Sequence, residues 1–258
     1  MSIKHYKLLS FAIVFSLFSY TGFAFPSECS VESDSHTTPL IELYTSEGCS
    51  SCPPAEGWLT SLKTDRHLSD KVVALAFHVD YWDYIGWKDN FAKAIFSDRQ
   101  RKFAAIGHNS FVYTPQVLFN GMDYRNWRSS QDFQSDVDKV NENSTKDHIK
   151  ITLNQSDSSV LKVEAQSFEN TSDMELFVAL YENDLKSNVT SGENAGHLLQ
   201  HDYVVHELYG PFKLDSSGKS IQSINLGTLN LRNMGVASFL QNKKNGDVSQ
   251  SLKLKKCI

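Results

Sequence analysis

The first half of the chain alternates short apolar runs with amphipathic stripes. Leu40-Ile41-Glu42-Leu43-Tyr44 is a strand-like run bounded by Pro39 and the polar turn Thr45-Ser46-Glu47-Gly48. Behind it, Ala55, Trp58, Leu59 and Leu62 recur at helical spacing and predict an amphipathic helix. Val72 to Val79 is almost continuously apolar, the pattern of a strand buried on both faces. A second helix is expected over Phe91 to Ile106, with Phe91, Ala92, Ile95, Phe96, Phe103 and Ile106 on one arc. Arg99 falls within that apolar arc. Val117-Leu118-Phe119 reads as a third strand, Asn120-Gly121 as a hairpin turn and Tyr124 to Trp127 as the returning strand. Phe133, Val137 and Val140 mark a closing helix.

From Lys146 the helical period disappears. Ile149 to Leu153, Leu161 to Ala165 and Met174 to Leu180 alternate with a period close to two. Val204-Val205, Ile221 to Leu226, Ala237 to Leu240 and Leu252 to Leu254 continue the theme, with Asn245-Gly246 as another hairpin turn. The pattern predicts an α/β domain over residues 39–145, whose β-α-β-α-β-β-α order is that of thioredoxin. A mainly β, sandwich-like domain over 146–258 is expected to follow.

The chain starts differently. Lys4, His5 and Lys7 precede an uncharged run from Leu8 to Tyr20, and Gly22-Phe23-Ala24 supplies small residues around a cleavage point. This is the layout of a secretory signal peptide over residues 1–24. Thirteen apolar residues are too few to span a ~30 Å hydrocarbon core comfortably. No later segment is long and apolar enough to cross. Residues 25–38 are expected to be a polar linker. The setting is then secreted and oxidising enough for disulfides to persist.

Composition narrows the function. The 258 residues carry a net charge of −5 and no basic run, which argues against a nucleic-acid partner. The four cysteines, at 29, 49, 52 and 257, form two unlike pairs. Cys29 and Cys257 lie near the two ends and are expected to close a structural disulfide. Cys49 and Cys52 sit between a strand and a helix, with Pro53-Pro54 tolerable in the first helical turn. A helix start lowers a thiol pKa, so Cys49 is the expected attacking, more exposed thiolate and Cys52 the resolving thiol.

The stretch Glu42 to Ala55 (ELYTSEGCSSCPPA) resembles the signature of a family of secreted bacterial proteins of unknown function in the thioredoxin-like superfamily. Ala76 to Trp87 (AFHVDYWDYIGW), Val112 to Gln116 (VYTPQ) and Gly192 to Gly196 (GENAG) resemble the same family. The resemblance implies a thioredoxin-like fold in a bacterial, periplasmic setting and matches Thr114-Pro115 to a cis-proline position that docks substrate backbone beside the cysteines. Ser50-Ser51 departs from the inserts of well-studied relatives and leaves the redox direction open.

Other residues have two readings each. Trp82 and Asp83, in an aromatic loop after the second apolar strand, could face a substrate beside the cysteines or pack on their own domain. Asp80 or Asp83 is the expected partner of Arg99. Cys49, Cys52, His78 and His108 form the alternative reading, a copper or other metal site in a metallochaperone, since thiolates favour such ions. His197, His201 and His206 match no firm zinc spacing, and a loop here docking against the Cys49 face is the favoured reading. The leading expectation is a thiol–disulfide oxidoreductase without cofactor, acting on protein or small-molecule thiols and disulfides. A binding module without chemistry is the third reading, and oligomeric state is left open.

Overall fold

A computed structural model describes Met1 and residues 28–154, 160–226 and 233–254. The expected signal segment and Cys257 lie outside the described residues. Cys29 is not free.

The strands are β1 (Glu28–Glu32), β2 (Leu40–Thr45), β3 (Val73–His78), β4 (Gln116–Phe119), β5 (Met122–Asp123), β6 (His148–Asn154) and β7 (Val160–Gln166), followed by β8 (Met174–Glu182), β9 (Leu185–Asn188), β10 (Leu198–His201), β11 (Val204–Lys213), β12 (Lys219–Asn225), β13 (Met234–Asn242) and β14 (Val248–Leu254). The helices are α1 (Pro53–Thr64), α2 (Ala94–Ile106) and α3 (Ser130–Asn141), with 3-10 turns over Asp80–Ile85 and Arg125–Arg128. Part of the expected linker is thus strand. The expected fourth strand at Tyr124–Trp127 is mostly the second 3-10 turn, and α2 begins three residues after Phe91.

The expected fold, a thioredoxin-like α/β domain followed by a sandwich, is overturned by the sheet. Eight strands run in the order β14-β13-β8-β11-β3-β2-β4-β5, and a separate four-stranded sheet runs β1-β6-β7-β12. The fold is mostly β, with 41% strand against 22% helix among the described residues. Strands from both sides of residue 146 share the large sheet. The join is β11 on β3, parallel at Val204 and Ala76, where Ala76 N–H donates to the carbonyl of Tyr203 at 2.8 Å.

The physical reason lies in strands β8 and β13. Phe177, Ala179 and Tyr181 of β8 enter the core under the helices, while Met174, Leu176, Val178 and Leu180 enter the core against the four-stranded sheet. Ala237 and Phe239 of β13 divide from Val236 and Leu240 in the same way. A strand apolar on both faces needs a layer on each side. The β-rich half therefore joins the sheet of the first half instead of closing alone.

Two asparagine-glycine turns lock one end of this sheet. Gly121, at φ +84°, and Gly246, at φ +82°, pack so closely that a Cβ on Gly121 would sit 2.1 Å from the Gly246 oxygen. At the far edge Lys253 donates to the carbonyls of Ser69 and Val72 at 2.6 and 2.7 Å, tying β14 to the approach of β3. Among the described residues no helix is long and apolar enough to cross a membrane.

Candidate functional site

Cys49 and Cys52 form a disulfide at the start of α1, directly after β2, with their Cα atoms 5.4 Å apart. Cys52 is the N-cap, and Pro53-Pro54 opens the helix. The prolines contribute no N–H, and the next two, from Ala55 and Glu56, are spent on the Cys52 carbonyl at 2.9 and 3.2 Å. The helix start therefore offers the sulfurs fewer free donors than its position suggests. Ser51 Oγ lies 3.3 Å from Cys49 Sγ.

The expected exposed sulfur is not found: Cys49 is 1% exposed and Cys52 fully buried. The cause is the loop leading from β9 to β10. Asn194 Nδ2 donates to the carbonyls of Glu47 and Cys49 at 2.8 and 3.1 Å. Glu193 accepts from Ser50 N–H and Ser50 Oγ at 3.0 and 2.7 Å, and these bonds lower its carboxyl pKa. The loop predicted to dock against Cys49 does so.

The other expected substrate residues gather partly here. Trp82 Cβ lies 3.1 Å from where a Cβ on Gly48 would stand, and its indole N–H donates to Thr114 Oγ1 at 2.8 Å. The Thr114-Pro115 peptide is cis. Asp83 is half-buried, accepting from Asp89 N–H at 3.2 Å, and desolvation raises its pKa.

Arg99 does not pair with Asp80 or Asp83. Its Nε and Nη2 donate to Glu42 at 2.7 and 2.9 Å, and Nη2 also reaches Gln241 at 2.9 Å. Phe103, Phe177 and Phe239 surround the guanidinium within 5.2 Å. Asp80 accepts instead from Ser97 Oγ. Glu42 is fully buried in an otherwise apolar strand, which is the signal that a cation must meet it.

One turn past Cys52, Glu56 opens a buried polar cluster. His201 Nδ1 lies 2.6 Å from Glu56 Oε2, and His201 Nε2 lies 3.2 Å from Glu47 Oε1. His78 Nδ1 lies 2.7 Å from Asp89 Oδ2. Thr45 Oγ1 donates to Glu56, and the Trp87 indole donates to Glu47 at 2.7 Å. Burial alone would push the His201 pKa down, but the Glu47 and Glu56 carboxylates outweigh it and hold it at about 10. Burial likewise opposes ionisation of Glu56 and Asp89, yet the neighbouring histidines keep both carboxyls below their ordinary values.

His78 thus joins Glu56 and His201 rather than His108, which is exposed after α2. His197 is exposed and His206 pairs with Glu182 at 2.9 Å, so the three downstream histidines do not converge. Sequence reasoning missed Glu47, Glu56 and Asp89. A signal existed for Glu56, because its position beside Ala55 and four residues after Cys52 puts a carboxylate toward the sheet.

Known proteins share this architecture. A crystal structure of a structural-genomics target from Agrobacterium tumefaciens superposes with a TM-score of 0.65 at 21% identity, over 86% of this chain and 96% of that one. HBP35 of Porphyromonas gingivalis superposes with a TM-score of 0.61 at 13% identity, over 86% of this chain and 76% of that one. At these identities the likeness extends to the fold alone. No curated protein matches the sequence. The family described as "Protein of unknown function (DUF1223)" matches residues 40–241, and the chain belongs to it.

Proposed function

We propose that the protein is an exported thiol–disulfide oxidoreductase whose working group is the Cys49–Cys52 pair. The observation that carries this reading is the place of the disulfide: a four-residue ring between a central strand and a helix start, held on three sides. Thr45 and Glu56 tie the strand end to the helix, Glu47 ties the turn to Trp87 and His201, and Asn194 ties the cap to the Cys49 carbonyl. A rigid cradle keeps two sulfurs in bonding range while their bond opens and closes.

In the oxidised form the pair accepts electrons. A substrate thiolate attacks Cys49 Sγ, and Cys52 leaves as a thiolate. The substrate's second thiolate attacks its own sulfur in the mixed disulfide and releases Cys49. The substrate loses two electrons and two protons, and the pair gains both as two thiols. A further disulfide partner restores the ring by the reverse exchange. Access requires the 191–197 loop to lift, which breaks the bonds from Ser50 to Glu193 and from Asn194 to the backbone.

A Cys52→Ser variant tests the reading. Its lone Cys49 thiolate attacks a model disulfide peptide, displaces one peptide thiolate and, lacking the resolving thiol, accumulates the mixed disulfide, detectable by non-reducing mass spectrometry, and Cys49→Ser does not. No adduct with Cys52→Ser would remove the proposal.

A further inference from the structure

We propose that Glu56, His78 and His201 form a binding site for a single divalent cation of the zinc type, distinct from the cysteine pair. One ligand atom from each lies within 4.8 Å of the other two, and all three residues are buried. His78 Nε2 is a buried atom with no hydrogen-bond partner. His78 is only 1% exposed, so that nitrogen cannot turn to water. Leaving such a group unpaired is costly. A metal is the partner it fits.

The surroundings are built as metal sites are built. A ligating imidazole characteristically gives its second nitrogen to a carboxylate, which fixes the ring and its tautomer. Here this occurs twice. His78 Nδ1 meets Asp89 at 2.7 Å, leaving Nε2 for the ion. His201 Nε2 meets Glu47 at 3.2 Å, leaving Nδ1 for the ion. Glu56 supplies the oxygen and is itself held by Thr45. The Phe91 ring stands edge-on to both imidazoles, with centroids 5.3 and 5.6 Å away.

Two nitrogens and one carboxylate oxygen suit zinc and related borderline ions. Tetrahedral Zn²⁺ sets its ligands about 3.3 Å apart. His201 Nδ1 and Glu56 Oε2, 2.6 Å apart, need a small separation to admit the ion in place of their mutual hydrogen bond. Three acidic side chains, Glu47, Glu56 and Asp89, stand against the two imidazoles.

The test uses the oxidised protein, so that neither cysteine can ligate and the outcome is separate from the redox reading. Metal-stripped protein is titrated with Co²⁺ and then Zn²⁺, following visible absorption and heat. One equivalent of Co²⁺ should bind and give the spectrum of a four- or five-coordinate nitrogen–oxygen site, and Zn²⁺ should displace it. His78→Ala should weaken binding about 100-fold or more, and Asp89→Asn, which keeps the shape and removes only the outer carboxylate, about 10-fold. His197→Gln should leave binding unchanged. Near-UV circular dichroism establishes that each variant is folded. The proposal is overturned if the folded wild-type protein takes up no Co²⁺, if folded His78→Ala or Asp89→Asn binds as tightly as wild type, or if His197→Gln abolishes uptake.

Discussion

The Asn194 side chain donates to the carbonyl oxygen of Cys49 at 3.1 Å, across 145 residues of sequence. Together with the Glu193–Ser50 pair, this bond puts a segment of the β-rich half directly over the disulfide. The disulfide is thus covered by a polar strap rather than an apolar one. Its bonds can be broken one at a time.

Loosening that strap should speed reduction of the disulfide. Asn194→Ala removes two hydrogen bonds, each worth about 0.5–1.5 kcal/mol net, so the open form should rise roughly 30-fold. The rate of reduction by excess dithiothreitol, followed by thiol labelling, should rise in proportion. An unchanged rate would mean that the loop does not control access.

Arg99 and Glu42 form a buried pair whose partners cannot be removed singly. Arg99→Met strands the Glu42 carboxylate beside Tyr44, and losing one member of such a pair costs about 3–5 kcal/mol. Adding Glu42→Leu should recover most of that loss, because both charges are then gone. Urea denaturation of the two variants measures this directly, and equal stability of the single and double variants would contradict the pairing.

How far the chain was legible follows from these same residues. Glu42 inside an apolar run and Arg99 inside an apolar arc were each visible in the sequence as a buried charge needing an opposite. Each was the other's answer, yet sequence proximity favoured Asp80 and Asp83. The Cys49–Cys52 turn, the helix behind it and both asparagine-glycine turns were legible because local spacing determines them. The shared sheet was not. Its join is a short parallel contact between Val204 and Ala76, and an apolar strand carries no mark of which neighbour it meets. The histidine–carboxylate cluster was hidden for a related reason: its members come from a turn, a helix, two strands and a loop.

Gly121 should tolerate no side chain. Gly121→Ala drives its Cβ to within 2.1 Å of the Gly246 oxygen and strains a positive φ as well. A loss of about 2 kcal/mol or more is expected by thermal or urea unfolding. A loss under about 0.5 kcal/mol would show that the two turns can separate freely.

Lys253 should make stability rise with pH. Burial holds its pKa down to about 8, against 10.5 as the ordinary value. Between those values the unfolded chain binds more protons than the folded one, so stability increases with pH across that window. At about 1.4 kcal/mol per unit, the rise is at most about 3.5 kcal/mol. Lys253→Met should lack this component. Parallel stability curves for the two proteins above pH 8 would contradict it.

The most direct test of the central claim is the equilibrium reduction potential of Cys49–Cys52, measured by thiol trapping in dithiothreitol and glutathione redox buffers. A working pair should titrate between about −270 and −120 mV, the span of known dithiol oxidoreductases. A potential below about −300 mV, the range of structural disulfides, would contradict the account and leave the pair a permanent clamp at the start of α1.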